Sequence, residues 1–179
     1  MKGLIICGYP GVGKSAIAGW NNCIDLESSY FSRDDNGRLR ADNWEFLYCK
    51  IALDLAKQGY TVLVSCHESV RTSLANLHDL AEYSSIPIVI FCPFKYMKSD
   101  WAIRLVNRYL KSNSEKDLRA FEGAIKYWET NMQYMTMQNF PIFNPASIDY
   151  DLRDYILAIR KRMGCDNDSK TSSSVDTMA

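Results

Sequence analysis

The chain has 179 residues, about the size of one domain, and 47% of them are hydrophobic while 23% are charged. These proportions are close to those of globular proteins and exclude a fully disordered or fibrous chain. Because 21 Lys and Arg residues balance 21 Asp and Glu residues, the formal net charge is zero, which argues against a main task of coating nucleic acid or an anionic membrane.

The cysteine pattern and the short apolar runs favour the cytoplasm. None of the six cysteines forms a C-x-x-C pair, so no zinc ribbon or thioredoxin-type site is indicated, and buried free thiols in a reducing compartment are expected. The first apolar run stops at Gly8, which is too short for a signal peptide, and no run approaches the ~20 residues of a membrane span. We therefore expect a cytoplasmic protein without membrane contact.

The first forty residues predict two strands separated by a glycine-rich turn. Residues 2–7 form an apolar run typical of a buried strand, and residues 8–15 form the turn, followed by a helix-compatible segment at residues 16–18. A second short strand is predicted at residues 23–26, and residues 28–40 are polar and predict a loop.

The middle of the chain predicts a helix, a strand and another helix. The first helix is predicted to begin at Asp42, because Asp42 and Glu45 have the spacing of a capping box, and to end before Gly59. A third strand is predicted at residues 61–66, and a helix at residues 70–80.

The remaining elements are mostly helical. A fourth strand is predicted at residues 86–92. Residues 97–135 have a helical pattern and predict two helices that break near residues 112–114. A short apolar run at residues 140–143 precedes a last predicted helix at about residues 149–163.

Strands that alternate with helices indicate an α/β fold with a mostly parallel sheet of about five strands and helices on both faces. We predict a three-layer domain over residues 1–163. Residues 164–179 are rich in Ser, Thr and Asp, and they predict a polar, disordered tail.

The most specific motif is G-Y-P-G-V-G-K-S at residues 8–15, which matches the phosphate-binding pattern G-x-x-x-x-G-K-[ST] at every fixed position. Glycines let the backbone wrap closely around a phosphate with its N–H groups inward, and a helix beginning there adds its positive dipole end. Catalytic Lys14 can reach the β- and γ-phosphates of ATP, and the Ser15 hydroxyl can ligate Mg²⁺. ATP and Mg²⁺ are therefore the predicted cofactors. The predicted nucleotide contacts come from the loop and the residue after it: Gly8, Tyr9, Pro10, Gly11, Val12, Gly13, Lys14, Ser15 and Ala16.

Two sequence motifs that are typical of other P-loop proteins are missing. No N-K-x-D string is present, which argues against a signalling GTPase, and residues 62–68 (V-L-V-S-C-H-E) lack the aspartate of a Walker-B strand. The length suits a small-molecule kinase of this superfamily, in which an arginine-bearing lid closes over both substrates. The predicted architecture is therefore a three-layer P-loop NTPase fold with a short lid.

Three segments of the sequence resemble the nucleotide or adenylate kinase-like P-loop proteins of phages and bacteria. The patterns G-x-P-G-V-G-K-S, I-D-L-x-S-S and V-L-V-S-x-H-x-x-V-R match residues 8–15, 24–29 and 62–71. The first pattern is general to P-loops, whereas the other two together are fairly specific to this group. The resemblance continues through residues 104–108 and the helix with Trp128, and it covers most of residues 1–160.

Asp25 and Glu27 follow the second strand at i, i+2 spacing, which places both on one face of an extended chain beside the glycine-rich turn. The resemblance implies an acidic pair here, with one member near Mg²⁺ and the other near the acceptor. We predict that Asp25 is catalytic and assists Mg²⁺ binding with Ser15, and that Glu27 binds the acceptor. The alternative is that one of them caps a turn through Ser28 and Ser29.

His67 and Arg71 follow the third strand, at the sheet edge where α/β proteins bind ligands. We predict that both bind substrate, His67 through a phosphate or ribose and Arg71 through an acceptor phosphate. A helix-capping or structural imidazole is the alternative for His67.

Arg104, Arg108 and Lys111 share one helical face at i, i+4 and i+7 spacing, in the region where a lid is expected. We predict that Arg104 and Arg108 are catalytic, because their guanidinium groups would neutralise the transferring phosphoryl group. An ordinary solvated face is the alternative. Further candidates for an acceptor phosphate lie in the polar loop: Arg33, Arg38 and Arg40.

The predicted function is phosphoryl transfer from ATP to a small phosphorylated acceptor, in the first place a nucleoside monophosphate. One alternative is a kinase for a polynucleotide end, a nucleoside or a small metabolite, although the neutral charge makes nucleic acid an unexpected partner. Another is a nucleotide-binding regulatory module without turnover, which the missing Walker-B aspartate favours.

Overall fold

The structure, a computed structural model, describes residues 2–32, 43–137 and 139–166. Within these residues, five strands form one sheet in the order β2-β3-β1-β4-β5, and every neighbouring pair is parallel. The strands are β1 (Leu4–Gly8), β2 (Cys23–Asp25), β3 (Thr61–Ser65), β4 (Ile88–Phe91) and β5 (Ile142–Phe143). The predicted α/β class with a parallel sheet of five strands is confirmed.

The helices of the described residues are α1 (Ser29–Ser32), α2 (Trp44–Lys57), α3 (Glu68–His78), α4 (Lys98–Ser112), α5 (Glu115–Lys126), α6 (Trp128–Met135) and α7 (Leu152–Arg162). Helices α2, α3 and α7 lie close to their predicted positions, whereas α1 falls in the segment predicted as a loop at residues 28–40. Asp42, the predicted cap of α2, lies outside the described residues, and Asn43 occupies the N-cap position. None of the helices in the described part of the chain has the length and apolarity that crossing a bilayer requires.

The central strands are covered on both faces, which explains their uninterrupted apolar sequences. All five residues of β1 are buried, although consecutive side chains of a strand point to opposite faces. Helix α2 approaches β1 so closely that a Cβ on Gly3 would lie 1.9 Å from the carbonyl oxygen of Ala56. The sheet is therefore consistent with the middle layer of a three-layer fold.

The helix predicted after the glycine-rich turn is wrong. Lys14–Ala16 forms a single 3-10 turn, and Gly19 then adopts a left-handed conformation with φ of 83°. Asn21 and Asn22 also have positive φ values, of 46° and 59°. These residues reverse the chain within the six positions between Ala16 and β2, so no multi-turn helix and no helix dipole lies beside the turn.

The predicted break near residues 112–114 is confirmed, and a second one divides the following segment. Asn113 is left-handed with φ of 49°, and Ser114 caps α5 by accepting a hydrogen bond from the backbone N–H of Asp117. Tyr127 then separates α5 from α6. Helices α4 and α5 pack against each other as a hairpin, and three helices occupy the region where two were predicted.

The opposite end of the sheet is closed by the C-terminal part of the described chain. All six cysteines are free and buried, which confirms the prediction for those in apolar runs. Cys165, which the sequence placed in the polar tail, is fully buried, and its carbonyl accepts a hydrogen bond from the Lys2 N–H. The predicted disordered segment otherwise falls at residues 167–179, outside the described residues.

Candidate functional site

A cavity of about 1490 Å³ lies at the edge where the parallel strands end, bounded by the glycine-rich loop (residues 8–15) and helices α4–α6. Ligands of α/β proteins bind at this edge. Single small ligands usually occupy roughly 300–1,000 Å³. The cavity is therefore large enough for two substrates side by side.

The glycine-rich loop directs backbone donors into this cavity. Gly11 and Gly13 have left-handed φ values of 88° and 95°, which explains why glycine is needed at both positions. Within the described residues, the amide groups of Gly11, Gly13, Lys14 and Ser15 donate to no protein acceptor. Such a run of uncommitted N–H groups is suited to the oxygens of a phosphate.

Three side chains from distant segments fix the outer side of the loop. Trp101 Nε1 donates to the Pro10 oxygen (2.8 Å), Arg104 Nε to the Gly11 oxygen (2.7 Å), and the Tyr150 hydroxyl to the Val12 oxygen (2.9 Å). Trp101 and Tyr150 were not predicted as site residues, because an isolated aromatic residue in a sequence gives no indication of its hydrogen-bond partner.

Two of the residues that were predicted to contact the nucleotide, Tyr9 and Val12, have side chains buried in the protein core. Tyr9 is 1% exposed, its hydroxyl donates to the Ala124 oxygen at 3.0 Å, and its ring packs edge-on against Trp128. Val12 is also 1% exposed, and it is the one member of the predicted set that does not line the cavity. These two residues anchor the loop to the protein interior.

Lys14, Ser15 and Asp25 converge at the inner side of the loop. The Ser15 hydroxyl donates to Oδ2 of Asp25 at 2.7 Å, and Lys14 Nζ donates to the Gly8 oxygen at 3.1 Å. Burial lowers the pKa of Lys14, and the opposing charge of Asp25 only partly offsets this effect. A phosphate beside Lys14 would supply the negative charge that its buried ammonium group lacks.

The hydroxyl of Ser15 and the carboxylate of Asp25 fit a magnesium ion. Mg²⁺ takes oxygen ligands, and it commonly keeps several waters while one or two protein groups and the substrate phosphates complete its shell. No cluster of three or more His, Cys, Asp or Glu suited to a metal occurs in the described ranges.

Glu27 lines the same cavity and forms an ion pair with Lys116 of α5. Its Oε2 lies 2.5 Å from Lys116 Nζ, and its Oε1 accepts a long hydrogen bond of 3.4 Å from the Ser29 N–H. Burial tends to raise the pKa of Glu27, but the hydrogen bond and charge of Lys116 outweigh it and lower the pKa. Glu27 thus does both things that were considered for it: it caps the turn at Ser29, and it lies in the cavity lining.

Arg71 is the most unusual charged group of the site. It is only 2% exposed and lines the cavity, yet it forms no ion pair with any described carboxylate. Its Nη1 donates to the Cys66 oxygen and contacts the Met135 sulfur, each at 3.0 Å, and its Nε has no partner. A buried guanidinium with such weak partners is suited to an anion.

His67 occupies the N-cap position of α3 without a side-chain capping bond, so the capping alternative has no support in the geometry. Its imidazole lines the cavity beside Lys14 and Arg71. Burial, followed by these two positive charges, lowers the pKa of His67.

The two predicted lid arginines are both engaged by protein groups. Besides Gly11, Arg104 contacts the Ile148 oxygen through Nη1 at 2.9 Å. Arg108 forms an ion pair with buried Asp117 at the start of α5. Both still line the cavity, together with Lys111.

Other candidates lie elsewhere. The three loop arginines, Arg33, Arg38 and Arg40, are outside the described residues. The other histidine, His78 of α3, is half-buried outside the cavity, with Nε2 2.9 Å from the Ile86 oxygen and its ring edge-on to Phe140.

No protein-family model matches the chain, and no curated protein matches it significantly. Among solved structures, a chain in the structure of the Pnkp1/Rnl/Hen1 RNA repair complex is similar, with 20% sequence identity and a TM-score of 0.48. The similarity covers 82% of this chain and 49% of that one, so this chain spans about half the length of that neighbour. No conclusion about activity follows from a similarity this weak.

Proposed function

We propose that this chain transfers the γ-phosphoryl group of ATP, with Mg²⁺, to a small acceptor that carries a phosphate, in the first place a nucleoside monophosphate. One observation carries the proposal. A single cavity brings together the uncommitted amides of the glycine-rich loop and a buried Arg71 that has no carboxylate partner among the described residues, so it offers two kinds of group that bind anions.

The loop side would hold the donor nucleotide. Its amides and Lys14 would bind the β- and γ-phosphates, and Ser15 and Asp25 would hold the metal ion. Mg²⁺ bridging the phosphate oxygens supplies charge neutralisation, which is the main requirement of phosphoryl transfer. Lys14 would add a positive charge at the same point, and a bound nucleotide would displace the water around this half-buried group and strengthen its attraction for the phosphates.

The Arg71 side would hold the acceptor. A buried, unpaired charge is unfavourable in the absence of an anion, so a phosphate on the acceptor would satisfy a group that the protein leaves unsatisfied. A nucleoside or a neutral metabolite has no group that would do this.

The state of the two carboxylates also favours a phosphorylated acceptor. Asp25 accepts from Ser15 and Glu27 is paired with Lys116, so neither is an uncommitted base. A phosphate monoester is already ionised near pH 7, with a second pKa of about 6, and needs no base to attack the γ-phosphorus. A hydroxyl acceptor would need one, and the imidazole of His67, whose pKa is lowered, is the candidate.

A panel assay of ADP release with Mg-ATP tests the proposal. The acceptors are the ribo- and deoxynucleoside monophosphates, nucleosides, a 5′-hydroxyl oligonucleotide and small hydroxy acids. We expect turnover with a monophosphate, its loss in Lys14→Met, and its retention in His67→Ala. Turnover only with hydroxyl acceptors, abolished by His67→Ala, would instead favour the other kinase class. Tight ATP binding without turnover on any acceptor would favour a regulatory binding module.

A further inference from the structure

We infer that Trp101, Arg104 and Tyr150 are positioning residues that orient the amides of the glycine-rich loop, and that α4 is a fixed wall of the nucleotide site and not a moving lid. The inference rests on the proposed function only where it concerns nucleotide affinity. It replaces the direct contact with the migrating phosphoryl group that the sequence predicted for Arg104.

The planarity of the peptide bond connects these outer contacts to the inner face of the loop. In a trans peptide the carbonyl of one residue and the N–H of the next point in opposite directions. Trp101, by holding the Pro10 oxygen outward, therefore turns the Gly11 N–H inward, and Tyr150 does the same for the Gly13 N–H through the Val12 oxygen.

Arg104 fixes the peptide between these two. Its Nε bond to the Gly11 oxygen orients the Val12 N–H, which donates back to the Tyr9 oxygen at 3.2 Å. The guanidinium carbon also lies 5.6 Å from the ring centre of Trp101 and 5.0 Å from that of Tyr150. The three positioning side chains thus contact one another and act on three consecutive peptides.

Close packing excludes a lid movement of α4 while the loop keeps this conformation. A Cβ on Gly11 would lie 2.8 Å from Cδ2 of Leu105 and 3.3 Å from Nε1 of Trp101. Both α4 residues are essentially unexposed, at 1% and 0%. Swinging α4 away from the loop would break two hydrogen bonds and open this contact to water.

Binding measurements on conservative variants test the inference. Tyr150→Phe removes one hydroxyl. Arg104→Lys keeps the positive charge, but a lysine lacks the planar guanidinium that donates to the Gly11 and Ile148 oxygens at the same time. Calorimetric titration with Mg-ATP and Mg-ADP should give affinities about threefold to tenfold weaker for both nucleotides in both variants. In the acceptor assay, KM for ATP should rise by a similar factor while kcat changes less than twofold.

Exposed residues provide matched controls, because Tyr96→Phe and Arg153→Lys lie outside the cavity lining. Loss of kcat with unchanged ADP affinity in Arg104→Lys would overturn the inference in favour of a direct contact with the migrating group. Wild-type affinity in Tyr150→Phe would overturn it as well.

An NMR measurement separates this inference from the proposed function. In the nucleotide-free protein, the ¹⁵N–¹H resonances of Gly11 and Gly13 should shift in Tyr150→Phe and stay in place in Tyr96→Phe. If the wild-type protein binds no nucleotide, the proposed function fails, whereas the shift of the Gly13 resonance still decides the positioning role. An unchanged Gly13 resonance would contradict that role.

Discussion

Lys116 Nζ of α5 lies 2.5 Å from Oε2 of Glu27, so one ion pair joins the residue beyond β2 to the helical hairpin across the cavity. Because Lys116 keeps the pKa of Glu27 below its ordinary value of 4.5, the carboxylate stabilises the fold above that pH, and the contribution is lost as pH falls through the lowered pKa.

Lys116→Met should therefore raise the pKa of Glu27 and reduce the free energy of unfolding at pH 7. The Lys116 side chain is 55% exposed, so solvent screening limits the loss to under about 1 kcal/mol. The difference from wild type should shrink below pH 4.5. Urea unfolding at several pH values measures the effect, and a difference that grows on acidification would contradict it.

Asp25→Asn and Ser15→Ala should weaken ATP binding only when Mg²⁺ is present. Both variants remove a predicted metal ligand while leaving the amides of the loop and Lys14 in place. Calorimetric titrations with Mg²⁺ and with EDTA compare the two conditions, and Asp79→Asn, an exposed residue at the end of α3, is the control. An equal loss of affinity with and without the ion would exclude the metal role.

Arg71→Met should separate stability from acceptor binding. Removing an unpaired buried charge in favour of an apolar side chain of similar length is often neutral or stabilising, so Tm should stay the same or rise. The acceptor KM should increase about 10- to 100-fold, the range expected for a lost charge-assisted hydrogen bond of about 1.5–3 kcal/mol. A large drop in Tm together with an unchanged KM would assign Arg71 a purely structural role.

Nucleotide binding should be coupled to protonation of Lys14 at alkaline pH. Burial lowers its pKa from 10.5, and a bound phosphate would raise it again, so affinity for ATP should fall as pH rises through the lowered value. Titrations in two buffers of different ionisation enthalpy measure the proton uptake, which Lys14→Met should abolish.

The lowered pKa of Lys14 should also affect the stability of the unliganded protein. Because the unfolded chain holds the Lys14 proton more tightly than the folded protein does, the free energy of unfolding should rise with pH between the lowered pKa and 10.5. Lys14→Met should lack this contribution to the pH dependence.

The α/β class and the parallel sheet were predictable, because buried parallel strands have continuous apolar sequences, and the glycine-rich turn was predictable because its motif is local. The partners of that loop were not. Trp101, Arg104 and Tyr150 lie 91, 93 and 138 positions from the carbonyls they bind, and one sequence contains no record of such pairings. The prediction of a helix after the loop was wrong, and the sequence contains the reason. Gly19 and the asparagines that follow it favour left-handed conformations, which end a helix.

Arg160 gives a prediction about stability at the end of the sheet remote from the cavity. It is 2% exposed, and its guanidinium donates to the Thr61 hydroxyl at 2.7 Å, to Asp166 at 2.8 Å and to the Lys2 and Cys165 oxygens at 3.3 Å. Arg160→Met would remove the donor to the buried Thr61 hydroxyl and to the Lys2 oxygen and would break the ion pair with Asp166, so unfolding should require about 1–3 kcal/mol less free energy.

The matched control is Lys161→Met, an exposed neighbour on the same helix that should change stability by less than about 0.5 kcal/mol. Because Arg160 holds the starts of β1 and β3, whereas the cavity lies where these strands end, the folded variant should keep wild-type nucleotide affinity at low temperature. Equal stability of the two variants would mean that the hydrogen bonds of the guanidinium make no net contribution to the free energy of unfolding. A loss of nucleotide affinity in folded Arg160→Met would show that the two ends of the sheet are coupled.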